Sequence, residues 1–286
     1  MASMRDIKRR KGSVQSTQQI TKAMKLVSTV KLQKAKQKAE QTTNYFDAMY
    51  NTVQNMLAKA KNITHPYLQP SDSKKKLVIM ITSNKGLAGG YNSNVIKLIT
   101  QGEFEKADVK IMAVGRKGKE AMTRYGYEIF ADYCEVIDGP TYDDARKIAK
   151  EALELFAKGE IGELYLAYTH FKNTVSHIPT WLKLLPVVVS EEEEENETDK
   201  LTLMEYEPEA EEALELIIPK YINSLIYGGL MQSFASENGA RMQAMDSATT
   251  NAEEMISDLE LSYNRARQGA ITQELTEIIA GANAIN

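Results

Sequence analysis

The sequence predicts an α/β domain combined with a long antiparallel coiled coil. Three observations lead to this fold class. Residues 237–286 carry apolar and small side chains at alternating steps of three and four. Good helix formers dominate residues 2–62, which contain no proline. Between these two stretches, short apolar runs alternate with amphipathic segments, which is typical of a parallel sheet covered by helices.

The C-terminal stretch contains an unbroken heptad pattern. Its positions are Met242, Met245, Thr249, Ala252, Ile256, Leu259, Tyr263, Ala266 and Ala270. A period of 3.5 residues keeps one stripe of a helix against one partner and imposes a left-handed supercoil. We expect the helix to begin near Pro208, because proline is tolerated in a first turn. Pro219 should kink it or mark its true start, and Gly228-Gly229 should let the partner backbone approach closely.

Residues 2–62 are predicted to form a second long helix. Its main apolar stripe consists of Leu32, Ala35, Ala39, Thr42, Phe46, Met49, Val53, Met56 and Ala60. Upstream, Ile20, Met24 and Val27 form a short stripe that is out of phase with the first, so we expect a local slip of the kind a stutter produces. If the two helices pair side by side, Arg5 lies opposite roughly residue 268.

This pairing leaves about fifteen C-terminal residues without a partner helix in the chain. The apolar residues among them are Ile271, Leu275, Ile278, Ile279 and Ile285. A contiguous apolar surface of this kind marks an interaction site. The pattern therefore predicts that another protein encloses the C-terminal tip.

The middle of the chain, residues 76–190, is predicted to be a small Rossmann-like domain with a parallel-rich sheet. Residues 1–62 and 208–286 form the coiled-coil units on either side of it. The expected strands are 77–81, 109–114, 127–131, 163–169 and 178–189, and the expected helices are 94–100, 117–125 and 143–157. Breaker residues at 65–73 and acidic residues at 191–199 predict loops.

Composition excludes several classes of protein. Cys134 is the only cysteine, so the chain forms no internal disulfide, which fits a reducing compartment. No apolar run approaches the ~20 residues that span a bilayer, and the N-terminus lacks a signal-peptide apolar region, so we expect a soluble protein. Residues 1–40 carry a net charge of +9 and residues 190–215 one of −12. This asymmetry predicts that the N-terminal helix meets an acidic protein partner.

No catalytic or cofactor motif is recognisable. Residues 83–90 follow a strand and precede a helix, but they fit neither GxxxxGK[ST] nor GxGxxG. The glycines of residues 115–120 are too close together for such a motif. We interpret both as structural turns. The histidines His65, His170 and His177 are scattered, so we expect no metal, no cofactor and no catalytic residue.

Several motifs together carry a family resemblance. They are Met-Arg-Asp-Ile at 4–7, Ile-Thr-Lys-Ala-Met at 20–24, Ser-Asn-Lys-Gly-Leu-Ala-Gly-Gly-Tyr-Asn at 83–92, Ser-Glu-Asn-Gly-Ala-Arg-Met at 236–242, Tyr-Asn-Arg-Ala-Arg-Gln at 263–268 and Ile-Thr-Gln-Glu-Leu-Thr-Glu-Ile at 271–278. These residues resemble the gamma subunit of bacterial F-type ATP synthases, the central rotor shaft. The resemblance covers both ends and the middle of the chain.

The resemblance implies a non-catalytic subunit that couples proton-driven rotation to conformational changes in the catalytic beta subunits, and ATP hydrolysis in reverse. The implied partners are three alpha and three beta subunits, the epsilon subunit and the c-subunit ring, without nucleic acid. The implied location is peripheral, on the cytoplasmic face of the bacterial plasma membrane, with membrane contact only through the c ring.

The resemblance also implies roles for particular residues. Those expected to contact beta subunits are Arg267, Gln268, Met24, Lys22, Lys25, Arg9, Arg10, Arg241 and Thr272. Leu275, Ile278 and Ile279 are expected to turn inside an apolar sleeve. Tyr206 and Glu207 are expected at the base, near the c ring and epsilon.

Two other classes of function remain open on the residues alone. A basic coiled coil could follow a nucleic-acid backbone, although no aromatic residue precedes Tyr45 for base stacking. Salt-dependent binding of RNA or DNA, lost when Arg9, Arg10 and Lys11 are neutralised, would identify this class. A nucleotide-dependent enzyme using residues 86–90 would instead bind ATP as the isolated chain.

Overall fold

A computed structural model describes residues 4–59, 65–69, 73–102, 104–187 and 210–285. The elements in chain order are α1 (Met4–Lys59), β1 (Lys76–Ile81), α2 (Tyr91–Thr100), β2 (Val109–Val114), α3 (Arg116–Tyr125), β3 (Glu128–Asp132), α4 (Tyr142–Ala157), β4 (Glu163–Phe171), β5 (His177–Leu185) and α5 (Ala210–Ile285). The predicted parallel-rich sheet between two long helices is confirmed.

The five strands form one sheet in the order β3-β2-β1-β4-β5. Strands β1 to β4 run parallel, and β5 is antiparallel to β4. The apolar residues of β1, from Leu77 to Ile81, are fully buried at the centre of this sheet, as expected for a strand covered on both faces. Strand β5 ends at Leu185, before the predicted end at 189, because Pro186 has no N–H for the ladder.

Helices cover both faces of the sheet. On one face, α4 and the first part of α5 pack against β1 and β4, and Val53 and Met56 of α1 join the same core. On the other face, Val95 and Ile99 of α2 and Met122 of α3 cover β1 and β2. The predicted α1 stripe is buried at Leu32, Ala35, Val53 and Met56.

Helix α5 runs without a break through Pro219, so this proline does not mark the helix start. Gly229 lies against the sheet: a Cβ built there would come 2.6 Å from Leu166 Cδ2. The prediction that Gly228-Gly229 admits the partner helix is therefore wrong for Gly229. The missing side chain lets α5 settle directly onto the side chains of β4.

The chain divides into two compact units, residues 1–29 with 241–286, and residues 30–240. The second unit contains the whole sheet, and the first consists of the two ends of the chain. In the described parts of the chain, no helix is both long enough and apolar enough to cross a lipid bilayer.

Candidate functional site

Within the unit formed by the chain ends, α1 and α5 run antiparallel. Three polar pairs join them: Lys11 Nζ with Glu260 Oε1 at 2.6 Å, Gln18 Nε2 donating to Glu253 Oε1 at 3.0 Å, and Lys25 Nζ with Asp246 Oδ1 at 2.5 Å. Each step of seven residues forward in α1 is a step of seven back in α5, which is the heptad spacing of a coiled coil. We call these three pairs the polar ladder.

The ladder fixes the register of the helix pair. Arg5 lies six residues before Lys11, so its opposite position is six residues after Glu260, at residue 266. The predicted position was roughly residue 268, two residues away. The antiparallel pairing and its approximate register are therefore confirmed.

The predicted heptad positions of α5 face α1 almost throughout. Met245 and Ala252 are buried, and the other positions from Met242 to Ala266 are partly buried, most of them between exposed neighbours. Ala270, however, is exposed. By the register of the ladder, the first described residue of α1, Met4, lies opposite residue 267, so Ala270 has passed the described end of its partner helix.

The predicted upstream stripe of α1 is wrong. Ile20 and Val27 are 60% and 58% exposed, whereas Thr21 and Ser28 are buried. The side chain of Thr21 meets Thr249 across the pair, with 2.7 Å between the hydroxyl oxygens. There is no phase slip, because the inward positions continue in step as far as the buried Leu32 and Ala35. On this stretch of α1, small polar side chains face inward, so apolarity does not mark the inward face there.

Apolar side chains lie on the outside of the same unit. Ile20, Leu26 and Val27 of α1 are exposed and share one stretch of helix surface with the exposed Lys22. The tip of α5 is also exposed, with Ile271, Leu275, Ile278 and Ile279 between 50% and 62% accessible. Exposed apolar surface next to basic side chains is typical of a protein interaction site.

The loop of residues 83–90 is structural. The first-turn N–H groups of α3, which could otherwise bind a phosphate, are already used: Arg116 N donates to Asn84 Oδ1 at 3.0 Å, Lys117 N to Ser83 O at 3.0 Å and Gly118 N to Thr82 Oγ1 at 2.9 Å. This loop therefore caps α3 with its own polar groups.

Gly115 makes this cap possible. Its φ is +109°, a region that favours glycine. A Cβ built there would lie 2.1 Å from the main-chain oxygen of Thr82. The turns after β1 and β2 therefore touch through their backbones, which leaves no room for a side chain or a ligand between them.

Cys134 lies in a polar cluster near the end of β3 but is not a reactive thiol. Burial, with the hydrogen bond to Asp132, raises the pKa of Cys134 to about 11, so the thiol stays protonated at neutral pH. The hydrogen bonds from Cys134 and Lys119 lower the pKa of Asp132 to about 2. Among the described residues, no group of His, Cys, Asp and Glu has the arrangement of a metal site.

A profile described as ATP synthase matches residues 3–285. The "ATP synthase gamma chain" of Lachnoclostridium phytofermentans is 67% identical over 291 aligned residues, which cover all of both chains. The chain belongs to the ATP synthase gamma family. A further gamma chain, from Acetobacterium woodii and described as sodium ion specific, is 42% identical over 299 residues and 99% of each chain.

Solved structures of the gamma family share this fold. A chain of the Tetrahymena thermophila mitochondrial ATP synthase central stalk and c ring has a TM-score of 0.59 and 25% identity, covering 80% of this chain and 99% of that one. A chain of the Euglena gracilis mitochondrial enzyme has a TM-score of 0.68 at 19% identity, covering 99% and 94%. The gamma chain is a central-stalk rotor subunit and not itself a catalyst. The nucleic-acid alternative has no support.

Most residues expected to contact partners are accessible. Arg10, Lys22, Arg267 and Gln268 are exposed, and the Arg9 side chain is exposed while paired with Asp6 at 3.2 Å. These side chains are therefore available to carboxylates of another protein.

Other expected contact residues have neighbours within the chain. Thr272 is exposed and its hydroxyl donates to the main-chain oxygen of Gln268 at 2.9 Å, Met24 and Arg241 are partly buried, and Lys25 is engaged with Asp246 in the polar ladder. Tyr206 and Glu207 lie outside the described residues.

Sequence reasoning missed the polar ladder. The available signal was the seven-residue spacing of Lys11, Gln18 and Lys25, matched by the same spacing of Asp246, Glu253 and Glu260. A search for complementary polar heptads, rather than apolar ones, would have found it.

Proposed function

We propose that the chain is the shaft that couples proton-driven rotation to conformational changes in three beta subunits of a ring with three alpha subunits, and that ATP hydrolysis drives it in reverse. One observation carries this proposal: large apolar side chains are exposed on the outside of the helix pair and at its tip, whereas its interface includes polar pairs. A helix pair that faces only water keeps its large apolar side chains at the interface.

The mechanism follows from asymmetry. A single shaft presents a different face to each of three equivalent catalytic subunits. Its angle therefore stabilises a different conformation of each beta subunit, which is a coupling free energy between shaft position and nucleotide affinity. The chain itself needs no nucleotide site, in agreement with a loop of residues 83–90 that caps α3.

The directional contacts are proposed at Arg267 and Gln268. Both are exposed on α5 next to the unpartnered tip. A guanidinium donates two parallel hydrogen bonds to a carboxylate, which suits a contact that must form at one angle only. We assign Thr272, one turn further on, and Arg241 to the same coupling surface.

The basic face of α1 is proposed to meet an acidic element of a beta subunit. Lys22 and Met24 lie beside the outward apolar residues, and Arg9 and Arg10 extend the positive charge towards the N-terminus. Lys25 contributes charge to this face, although its ammonium is bonded to Asp246. The exposed side chain of Lys22 is thus the better placed of the two lysines.

The remaining contacts are proposed at the two ends of the shaft. Leu275, Ile278 and Ile279 would turn inside an apolar sleeve of the ring, since none of them is covered by the residues that the structure describes. The base, with Tyr206 and Glu207, would meet epsilon and the c ring. The complex would sit on the cytoplasmic face of the bacterial plasma membrane, which the chain reaches only through the c ring.

Reconstitution with purified alpha and beta subunits tests this proposal. We expect one chain per three alpha and three beta subunits, with ATPase activity. Removing the residues from Ile271 onward should weaken assembly without unfolding the chain, because those residues are exposed. Failure of the intact chain to associate would contradict the proposal, and binding of labelled nucleic acid instead would favour the discarded alternative.

A further inference from the structure

A cleft outside the helix pair lies between α2 and the strands β4 and β5. Its volume is about 690 Å³. The residues that line it are Asn94, Lys97, Leu98, Gln101, Gly102, Phe104, Tyr165, Pro179 and Trp181. All of them belong to the unit of residues 30–240. Nothing in the proposed coupling mechanism uses this surface.

Three aromatic rings form one wall of the cleft. Phe104, Tyr165 and Trp181 contact one another, with ring centroids 5.0 to 5.6 Å apart. All three side chains are only partly buried. Tryptophan and phenylalanine are few in this chain, which has one tryptophan and six phenylalanines, so their grouping at one exposed surface is notable. Partly exposed aromatic clusters are the residues that most often anchor protein interfaces.

The surroundings of the aromatic wall are positively charged. Lys76 lies 4.9 Å from the ring centre of Phe104, and Lys183 lies 5.9 Å from that of Tyr165. Both lysines share one carboxylate, Glu163, which Lys183 meets at 2.6 Å. Two ammonium groups on one carboxylate leave a net positive charge.

The lining adds a further positive charge. Among the described lining residues, Lys97 is the one basic residue and none is acidic, and the Lys97 side chain is exposed in the last turn of α2. Burial, and then the neighbouring Glu163, raises the pKa of Tyr165 to about 12, so its hydroxyl stays neutral. The cleft is thus apolar and aromatic at its wall and cationic at its rim.

We propose that this cleft binds a protein segment in which a large apolar side chain is flanked by carboxylates, carried by another subunit of the same rotor. The apolar side chain packs on Trp181 and Phe104, and a carboxylate pairs with Lys97. The choice of an acidic segment rests on charge complementarity with the rim. The choice of a rotor subunit rests on the proposed function.

Site-specific crosslinking in the intact purified complex tests the inference. A benzophenone side chain in place of Gln101 stands on the cleft rim, and one in place of Thr123 stands on the exposed side of α3 as a matched control. On irradiation, the probe at Gln101 should crosslink to one peptide of another subunit that contains an apolar residue next to Asp or Glu. The probe at Thr123 should give at least tenfold less of that product.

Charge variants sharpen the result. Lys97→Glu should lower the crosslinking yield at Gln101 at least tenfold, and Lys97→Gln should lower it less and reduce its salt dependence. Lys150→Glu, on the exposed side of α4, should leave the yield unchanged. Unfolding curves that match the wild type for both Lys97 variants would show that the loss is not caused by misfolding.

Three results would overturn the inference: an assembled complex without any crosslink at Gln101, a crosslinked peptide without carboxylates, or a yield that Lys97→Glu does not change. If the cleft binds only small molecules, the complex will assemble without a crosslink at Gln101. If the complex does not assemble at all, the proposed function fails instead, and the two failures are thus distinguishable.

Discussion

The two compact units of this chain differ in the share of polar contacts that hold them together. In the sheet unit, Ile79, Ile81 and Leu166 are fully buried among apolar neighbours. In the helix-pair unit, hydroxyls, an amide and ion pairs meet across the interface beside the buried Met245 and Ala252, and other apolar residues lie outside. The first arrangement provides stability, whereas the second specifies register and adds little stability in water. The sheet unit therefore buries its own apolar core, whereas the helix pair leaves apolar side chains exposed, as protein interaction surfaces do.

Glycine substitutions should show the largest difference between the units. Gly115→Ala should lower the free energy of unfolding by more than about 3 kcal/mol, since its Cβ would overlap the backbone of Thr82 at positive φ. At Gly12 in α1, an added Cβ would have no atom within 4 Å, so Gly12→Ala should raise helix stability by about 0.5–1 kcal/mol. Denaturant unfolding followed by circular dichroism measures both changes in the free energy of unfolding. Equal changes for the two substitutions would contradict the proposed difference between the units.

Truncation of single contacts should follow the same order. Leu166→Ala removes a fully buried side chain and should cost about 2–5 kcal/mol. Thr249→Ala removes one hydrogen bond across the helix pair and should cost about 1 kcal/mol. Ile278→Ala at the exposed tip serves as the control and should leave the unfolding midpoint of the isolated chain unchanged. A cost for Thr249→Ala as large as that of Leu166→Ala would show that the interface is not merely a register device.

Charge reversal tests the polar ladder. Lys11→Glu or Glu260→Lys alone places like charges opposite each other and should weaken the pair by about 0.2–1 kcal/mol at low salt. The double exchange should restore most of this loss. A double-mutant cycle at low and high ionic strength measures the coupling, which should fall as salt is added. A coupling energy of zero at low salt would show that Lys11 and Glu260 do not stabilise the helix pair through their contact.

The smallest effect concerns acid stability of the sheet unit. Asp132 has a pKa of about 2 when folded, below its ordinary value of 3.8. Its contribution to stability is therefore fully present above about pH 4 and is lost as the pH falls through about 2. Asp132→Asn should make the unfolding midpoint depend less on pH in this range. Asp143→Asn, at an exposed position of α4, serves as a comparison. An unchanged pH profile would contradict the assigned hydrogen bonds.

Sequence patterns predicted the sheet unit well and the helix pair only in part. Strands such as β1 and β2 are continuous β-branched and apolar runs between turn residues, which is the signal of a buried strand. The α5 heptad was visible because small and apolar residues such as Ala252 and Ile256 fill it. The inward face of α1 could not be recognised from the sequence, because Thr21 and Ser28 occupy it while Ile20 and Val27 face outward.

The candidate surfaces differ in the same way. The apolar tip of α5 could be predicted, since helix length and pairing leave it without a partner. The aromatic cleft could not, because the pairing of β4 with β5 brings Tyr165 to Trp181, and Phe104 reaches both rings from the distant segment after α2. Long-range contacts of this kind leave no periodic signal in a single sequence.

Direct observation of rotation tests the central claim, that an asymmetric shaft turns inside its partners. A bead can be attached through a cysteine in place of Lys150, exposed on α4, in a Cys134→Ala background, with the alpha–beta ring fixed to a surface. On addition of ATP we expect rotation in one direction with three stops per turn, one for each proposed beta subunit. ATP hydrolysis with a stationary bead would contradict the account.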